Sequence, residues 1–525
     1  MTNTATGTVR GEDGTEIPVH WVYPGADECE WIWNRDHWPE PFTPMEAWFH
    51  RNGASGVDRA WREAALEPPP NFYRYQFAGP FGYTRRTPYP PARMADVVSR
   101  YRGVVQRYGS ARGFWREYCQ PRIEEACKDL AGSAADAPLD HVAEGWAHGR
   151  HQTFTSAAIL GEAIQRLTNL LAESIGTSAT LMAFEVTQGG KNASQTIDSE
   201  IWDLAALARQ TPVVKRLLAD ARHREPLAAL RREPTAVAFV AAFDAVVERH
   251  GSRSQGWQFS PQTWAERPEA PLALVRAQLE SDGISPAELA VRSAARRQQA
   301  TDEALSSLPQ SEHEDFQRIV AELDGYVGIR EDRAYWQMVI AGEARNLLLR
   351  QGARLQRLGR VDRADDILFL VPEDFDDGGT ADLRGVVSER RAEWEGWRKV
   401  VPPLLIGIPG AAAAEATQDG ELRGLSASRG RVTGRARILH NPEEGAWFRS
   451  GEVLVCVMTT PAWTPLFAIA GGVITETGGP LSHPAIAARE YAIPCVVAVK
   501  NATTRIRDGQ VVTIDGAAGV VTLEG

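Results

Sequence analysis

Apolar residues recur at three- and four-residue intervals over much of 92–349, the period of helices that bury one face. HVAEGWAHGRHQTFTSAAILGEAIQRLTNLLAESIG (141–176) is a long run of this kind, and Gly176 stands where a helix would stop. ARNLLLRQGARLQRLG (344–359) predicts another, its arginines reading as a solvated outer face. Residues 17–90 lack the period. Pro39, Pro41 and Pro44 each remove a helical hydrogen bond, and short, aromatic, extended-looking pieces predict a packed, loop-rich segment. Beyond residue 401 the texture changes. VPPLLIGIPGAAAAEATQDGE (401–421) has little periodicity and predicts an interdomain linker. After it, RVTGRARIL, EVLVCVM, GVITET, CVVAV, VVTID and GVVTL read as short strands between glycines, with one helix near 482–491.

The expected architecture is multidomain α+β. A large, mainly helical domain covers 1–400, a linker 401–423, and a small α/β domain 424–525. The length of 525 residues agrees, since domains of about 100–200 residues give two to four of them. A net charge of −11 without a basic block points away from nucleic acid. The five cysteines are scattered and form no CxxC pair, so neither a disulfide framework nor a metal site is expected. The N-terminus lacks a basic–apolar leader, and no apolar run reaches the ~18–20 residues of a membrane helix. A cytoplasmic protein with no membrane partner is the expectation.

The chemistry concentrates in TETGGPLSHPAIAARE (475–490). A strand runs into Gly478 and Gly479, whose freedom at positive φ lets backbone N–H groups converge. Ser482 is a favourable N-cap residue, and the helix start beyond it carries unpaired donors and partial positive charge. An imidazole there faces a site suited to phosphate. With an ordinary pKa of about 6.5, His483 is a usable nucleophile toward a phosphoryl group. A histidine that merely caps a turn is the plainer alternative.

This string resembles the swivelling phosphohistidine domain of the phosphoenolpyruvate-utilising enzymes, which include pyruvate phosphate dikinase, phosphoenolpyruvate synthase and rifampin phosphotransferase. Thr475, Gly478, Gly479, Ser482, His483, Ala485, Ile486, Ala488, Arg489 and Glu490 meet the family signature. The likeness extends through LRGLSASRGRVTGRARIL, TTPAWTPLF, AIPCVV and DGQVVTIDGAAGVV, about the last hundred residues. It implies that His483 carries a phosphoryl group and that Thr475, Gly478, Gly479 and Ser482 hold its oxygens.

WNRDHWPEPFTP (33–44), RHGSRSQGWQFSPQTWAERP (249–268), REDRAYW (330–336) and DDILFLVPEDF (365–375) resemble, more loosely, the substrate domain of rifampin phosphotransferase. They look still more like the corresponding subunit of phenylphosphate and cresyl phosphate synthases. Where the rifampin enzymes carry lysine four residues after an arginine, this chain has Ala334 after Arg330, with Arg333 beside it. Arg330 and Arg333 are candidates to neutralise a transferring phosphoryl group, since guanidinium forks match its oxygens. A surface pairing of Arg330 with Glu331 or Asp332 is the alternative. His37 with Asp36 is a candidate base on an acceptor hydroxyl, Arg253 a second anion contact, and Trp38 part of an aromatic acceptor site.

No GxxxxGK[ST] loop is present, and no segment of suitable size remains for a nucleotide-binding domain. The resemblance therefore implies that ATP and Mg²⁺ are bound by a separate ATP-grasp subunit. The expected function is phosphoryl transfer through His483 to a small, hydroxylated, aromatic acceptor. An antibiotic or other alcohol as acceptor stays open, as does a non-catalytic relic.

Overall fold

The computed structural model describes residues 6–11, 13–22, 25–35, 37–67, 75–85, 90–176, 179–189, 192–220, 225–254, 256–279, 285–375, 381–407, 420–479 and 482–524. The chain is mainly helical up to residue 397 and closes with an α/β unit.

The aromatic N-terminal segment is more regular than its prolines suggest. Strands β1 (Thr6–Arg10), β2 (Glu16–His20), β3 (Trp31–Trp33), β4 (Tyr75–Ala78), β5 (Phe81–Thr84) and β6 (Leu405–Ile406) form an antiparallel sheet in the order β1-β2-β4-β5-β3-β6. Alternation drives it: Ile17 and Val19 of β2 are buried while Glu16, Pro18 and His20 face out. With Trp31, Phe81, Tyr83 and Ile406 they make one small core. The expected linker is shorter at both ends. Ile406 pairs with Trp31 at its start, and β7 (Glu421–Arg423) pairs with a C-terminal strand at its end. Residues 408–419, the middle of the expected linker, lie outside the described residues.

The helical body is built around α1 (Leu139–Ile175), which ends at Gly176 with φ of 57°, a value that favours glycine. The other helices that matter to the site are α2 (Ala193–Gln210), α3 (Val237–His250) and α4 (Tyr326–Arg357). Glycines set the crossings. A Cβ on Gly149 of α1 would lie 2.2 Å from Ile340 Cδ1 of α4, and one on Gly342 would lie 1.8 Å from the Ser252 carbonyl oxygen. Small residues there bring α1, α4 and the segment after α3 into direct contact.

The C-terminal unit begins at β7. With β8 (Leu425–Ser428), β9 (Arg431–Ile438), β10 (Val453–Cys456), β11 (Gly472–Thr475), β12 (Cys495–Val497), β13 (Val511–Asp515) and β14 (Val520–Leu523) it forms a sheet ordered β7-β14-β13-β9-β10-β11-β12-β8. The run β9-β10-β11-β12 is parallel, and β10 and β11 are buried throughout, as strands covered on both faces must be. Helix α5 (His483–Glu490) follows β11.

This unit docks on the helical body through apolar packing. Leu466, Phe467, Ala485, Ala488 and Tyr491 share one cluster with Ile197, Ile201, Phe243 and Leu272. Burying each such large side chain is worth about 1.5–3 kcal/mol. Polar contacts fix the register: Tyr491 Oη donates to Asp198 Oδ2 at 2.5 Å, Gln195 Nε2 to Glu490 Oε2 at 3.3 Å, and Arg429 pairs with Glu185 at 3.1 Å.

Candidate active site

His483 is positioned by a short, tightly bonded turn. Gly478 takes φ of 106°, where a Cβ would meet Ser482 Oγ at 2.6 Å, so glycine is required. Ser482 stands at the N-cap with extended backbone, yet its hydroxyl donates back to the Gly479 carbonyl at 2.7 Å and caps nothing. The Thr475 hydroxyl donates to the Thr477 carbonyl at 2.7 Å, and the residue is fully buried. Both side chains hold the turn in this arrangement.

The imidazole sits between two hydroxyls and a carboxylate. Nδ1 is 2.8 Å from Thr459 Oγ1; Nε2 is 3.3 Å from Thr464 Oγ1 and 3.7 Å from Glu331 Oε2. Burial, with the positive charge of Arg253 second, pushes the pKa of His483 down to about 3. The ring is neutral at physiological pH. A proton on Nδ1, donated to Thr459, leaves the Nε2 lone pair as the nucleophile. A threonine hydroxyl accepts from Nδ1–H before phosphorylation and donates to bare Nδ1 afterwards, so Thr459 serves both states.

His483 lines a cavity of about 580 Å³ between the two units. Gly478, Gly479, Ser482, His483 and Thr459 line one side; Phe154 and Ala157 of α1, Arg330, Glu331, Arg333 and Gln337 of α4, and His37 with Trp257 line the other. Positions 330, 333, 334 and 337 fall on one helical stripe, which is why one face of α4 supplies so much of the wall. Arg333 Nε donates to the Thr153 carbonyl at 2.5 Å, and burial, then the neighbouring Arg330 charge, pushes its pKa down to about 9. The His37 ring stacks on Trp257 with centroids 3.9 Å apart, and its Nδ1 lies 2.6 Å from Asn34 Oδ1.

Seven expected residues thus line the cavity: His37, Arg330 and Arg333 on one side, Gly478, Gly479, Ser482 and His483 on the other. Trp38 does not. It is 1% exposed and boxed by Phe42, His50 and Tyr75, a core residue whose indole has no path to an acceptor. Arg253 is buried off the cavity wall, and Asp36 lies outside the described residues. Glu331 is the residue that sequence reasoning missed as a site group, having weighed it only as a partner for Arg330. Burial, then the nearby Glu490 carboxylate, pushes its pKa up to about 8. Thr459 and Thr464 were missed too, although TTPAWTPLF carries both.

The α/β unit thus presents a neutral, buried histidine to a cavity walled on the other side by arginines. Comparison with known proteins agrees: residues 448–519 match the PEP-utilising enzyme mobile domain, and 151–331 match the rifampicin phosphotransferase fourth domain. Rifampicin phosphotransferase of Streptomyces sviceus is 28% identical over 69% of this chain and 43% of its own length. The Bacillus cereus protein of the same name is 30% identical over 53% and 34%. Chondramide synthase cmdD of Chondromyces crocatus is 26% identical over 97% of this chain and 14% of its own length. The chain therefore spans less than half of each of these relatives. The expected likeness to aryl phosphate synthases has no counterpart among these matches.

Proposed function

We propose that this chain passes a phosphoryl group from Nε2 of His483 to the hydroxyl of a small aromatic acceptor bound in the interdomain cavity. The observation that carries the reading is the convergence of His483, Arg330, Arg333 and Glu331 on one 580 Å³ space. In the transfer the Nε2–P bond breaks, an O–P bond forms, the hydroxyl proton passes to a base, and the ring regains its proton at Nδ1. Arg330 and Arg333 spread the charge of the transferring group. Glu331, 3.7 Å from Nε2, is the base this geometry favours, with His37 the second candidate. Phe154, Phe184 and Trp257 give the cavity the flat apolar surfaces that suit an aromatic ring.

In this reading ATP and Mg²⁺ are bound by a separate ATP-grasp subunit, and the small domain swings between that subunit and the docked position seen here. Among the described residues no helix is long and apolar enough to cross a membrane.

The test is a panel of phenol, cresol, rifampicin and a simple polyol, each given to the chain with ATP and a candidate ATP-grasp partner. The reading expects phosphorylated phenols. Rifampicin as the preferred acceptor would move the chain to the antibiotic class suggested by its relatives' name. Absence of acid-labile phosphate on His483 with every candidate donor would favour a non-catalytic relic.

A further inference from the structure

Arg253 is an anomaly. It is 1% exposed, and among the described residues none accepts a hydrogen bond from its Nε, Nη1 or Nη2. Its backbone is pinned: the amide donates to the His250 carbonyl at 2.9 Å and the carbonyl accepts from Trp264 N at 2.8 Å. The guanidinium lies 5.0 Å from the Trp264 ring centroid. Gly342 provides the space that admits this segment against α4. The Trp264 face and the nearby Asp198 charge offset part of the cost of burying this cation, but its hydrogen-bond donors stay idle.

The groups within electrostatic reach of Arg253 include Asp198, Tyr335, Glu331, His250 and His483. Asp198 accepts from the Tyr491 hydroxyl, Glu331 faces Nε2 of His483, and neither accepts a hydrogen bond from the guanidinium. The group that His483 would carry is an acceptor suited to those donors. A phosphoryl on Nε2 presents three acceptor oxygens and up to two negative charges, which a guanidinium fork matches bidentately.

We propose that Arg253 reads the loading state of His483. Arg253 belongs to the helical body and His483 to the mobile unit, so a bond from guanidinium to phosphoryl crosses the interface only while the histidine is charged. The loaded unit is then held in the docked position, and transfer to the acceptor removes the bond and frees the unit. This inference rests on the phosphohistidine reading above.

Potassium phosphoramidate tests it without any partner protein. In loading, the phosphoramidate N–P bond breaks, the Nε2–P bond forms, and ammonia leaves with the proton given up by Nδ1. The full-length chain, Arg253→Gln and Arg253→Lys are loaded, and hydrogen exchange is followed at α2 and α5 with loading measured by ³¹P NMR. Loading is expected to slow exchange at both helices several-fold in the wild type. Arg253→Gln should load equally and lose that slowing, and Arg253→Lys should keep part of it. The unloaded Arg253→Gln chain should melt no lower than wild type, because an unpaired buried charge has been removed; a residue with a merely structural role would lower the melting temperature. Equal slowing in Arg253→Gln and wild type would overturn the inference and leave the phosphohistidine reading intact. Failure of the wild type to load at His483 would overturn both.

Discussion

The two walls of the cavity are assembled on different terms. The His483 wall is local: Gly478, Gly479, Ser482 and His483 lie within six positions and are shaped by one turn between a strand and a helix. The opposite wall draws His37, Phe154, Trp257 and Arg330 from four distant stretches and exists only because α1, α4 and the N-terminal segment pack together. A local site tolerates changes elsewhere in the fold, whereas an assembled one depends on every crossing that forms it. In the proposed reading the first wall carries the phosphoryl group, and the second supplies the base, the arginines and the acceptor's surfaces.

The largest expected effect is at the seam between them. Glu331→Gln should leave loading of His483 intact and slow transfer to the acceptor by about 10²–10⁴-fold. With a carboxyl pKa of about 8, wild-type transfer should rise with pH toward that value, and the rise should vanish in the variant. An equal loss of loading would assign Glu331 to the first wall.

The interface itself should respond to pH. Asp198, Glu331 and Glu490 are held up to about 7, 8 and 8, mainly by burial, so the folded state keeps protons that the unfolded chain has released. Their contribution to stability declines as pH rises from about 4 to 8. His483, held down to about 3, acts with the opposite sign between pH 3 and its ordinary 6.5. From pH 6.5 to 8 the carboxylates act alone among these four, and the melting temperature should fall. Glu490→Gln should flatten that decline, which calorimetry would show.

Smaller effects separate assembly from chemistry. Gly342→Ala places a Cβ against the Ser252 carbonyl and should cost about 1–3 kcal/mol of stability, with transfer lowered and loading by phosphoramidate retained. Trp38→Phe should cost about 1–2 kcal/mol and leave KM for the acceptor unchanged, as befits a core indole. A raised KM with unchanged melting would restore Trp38 to the acceptor site.

The same contrast explains what could be read from the sequence. The string 475–490 announced its strand, its glycine turn and its nucleophile, because each is a nearest-neighbour property. The helical period exposed α1 and its stop at Gly176. The N-terminal sheet was hidden because its strands are two to five residues long and one of them, β6, arrives from beyond residue 400. Glu331 could not be separated from a surface ion pair, since its role comes from burial against a unit more than a hundred residues later. Trp38 misled for a related reason: a tryptophan beside proline reads alike on a pocket wall and in a core.

The central claim is that the two walls exchange one phosphoryl group directly. A single-turnover chase tests it: the full-length chain is loaded at His483 with ³²P-labelled phosphoramidate, freed of excess reagent, and mixed with phenol. The account predicts that label leaves His483 and appears one-for-one in phenyl phosphate, and that His483→Ala takes up none. Label released only as inorganic phosphate, at a rate indifferent to any acceptor, would contradict it.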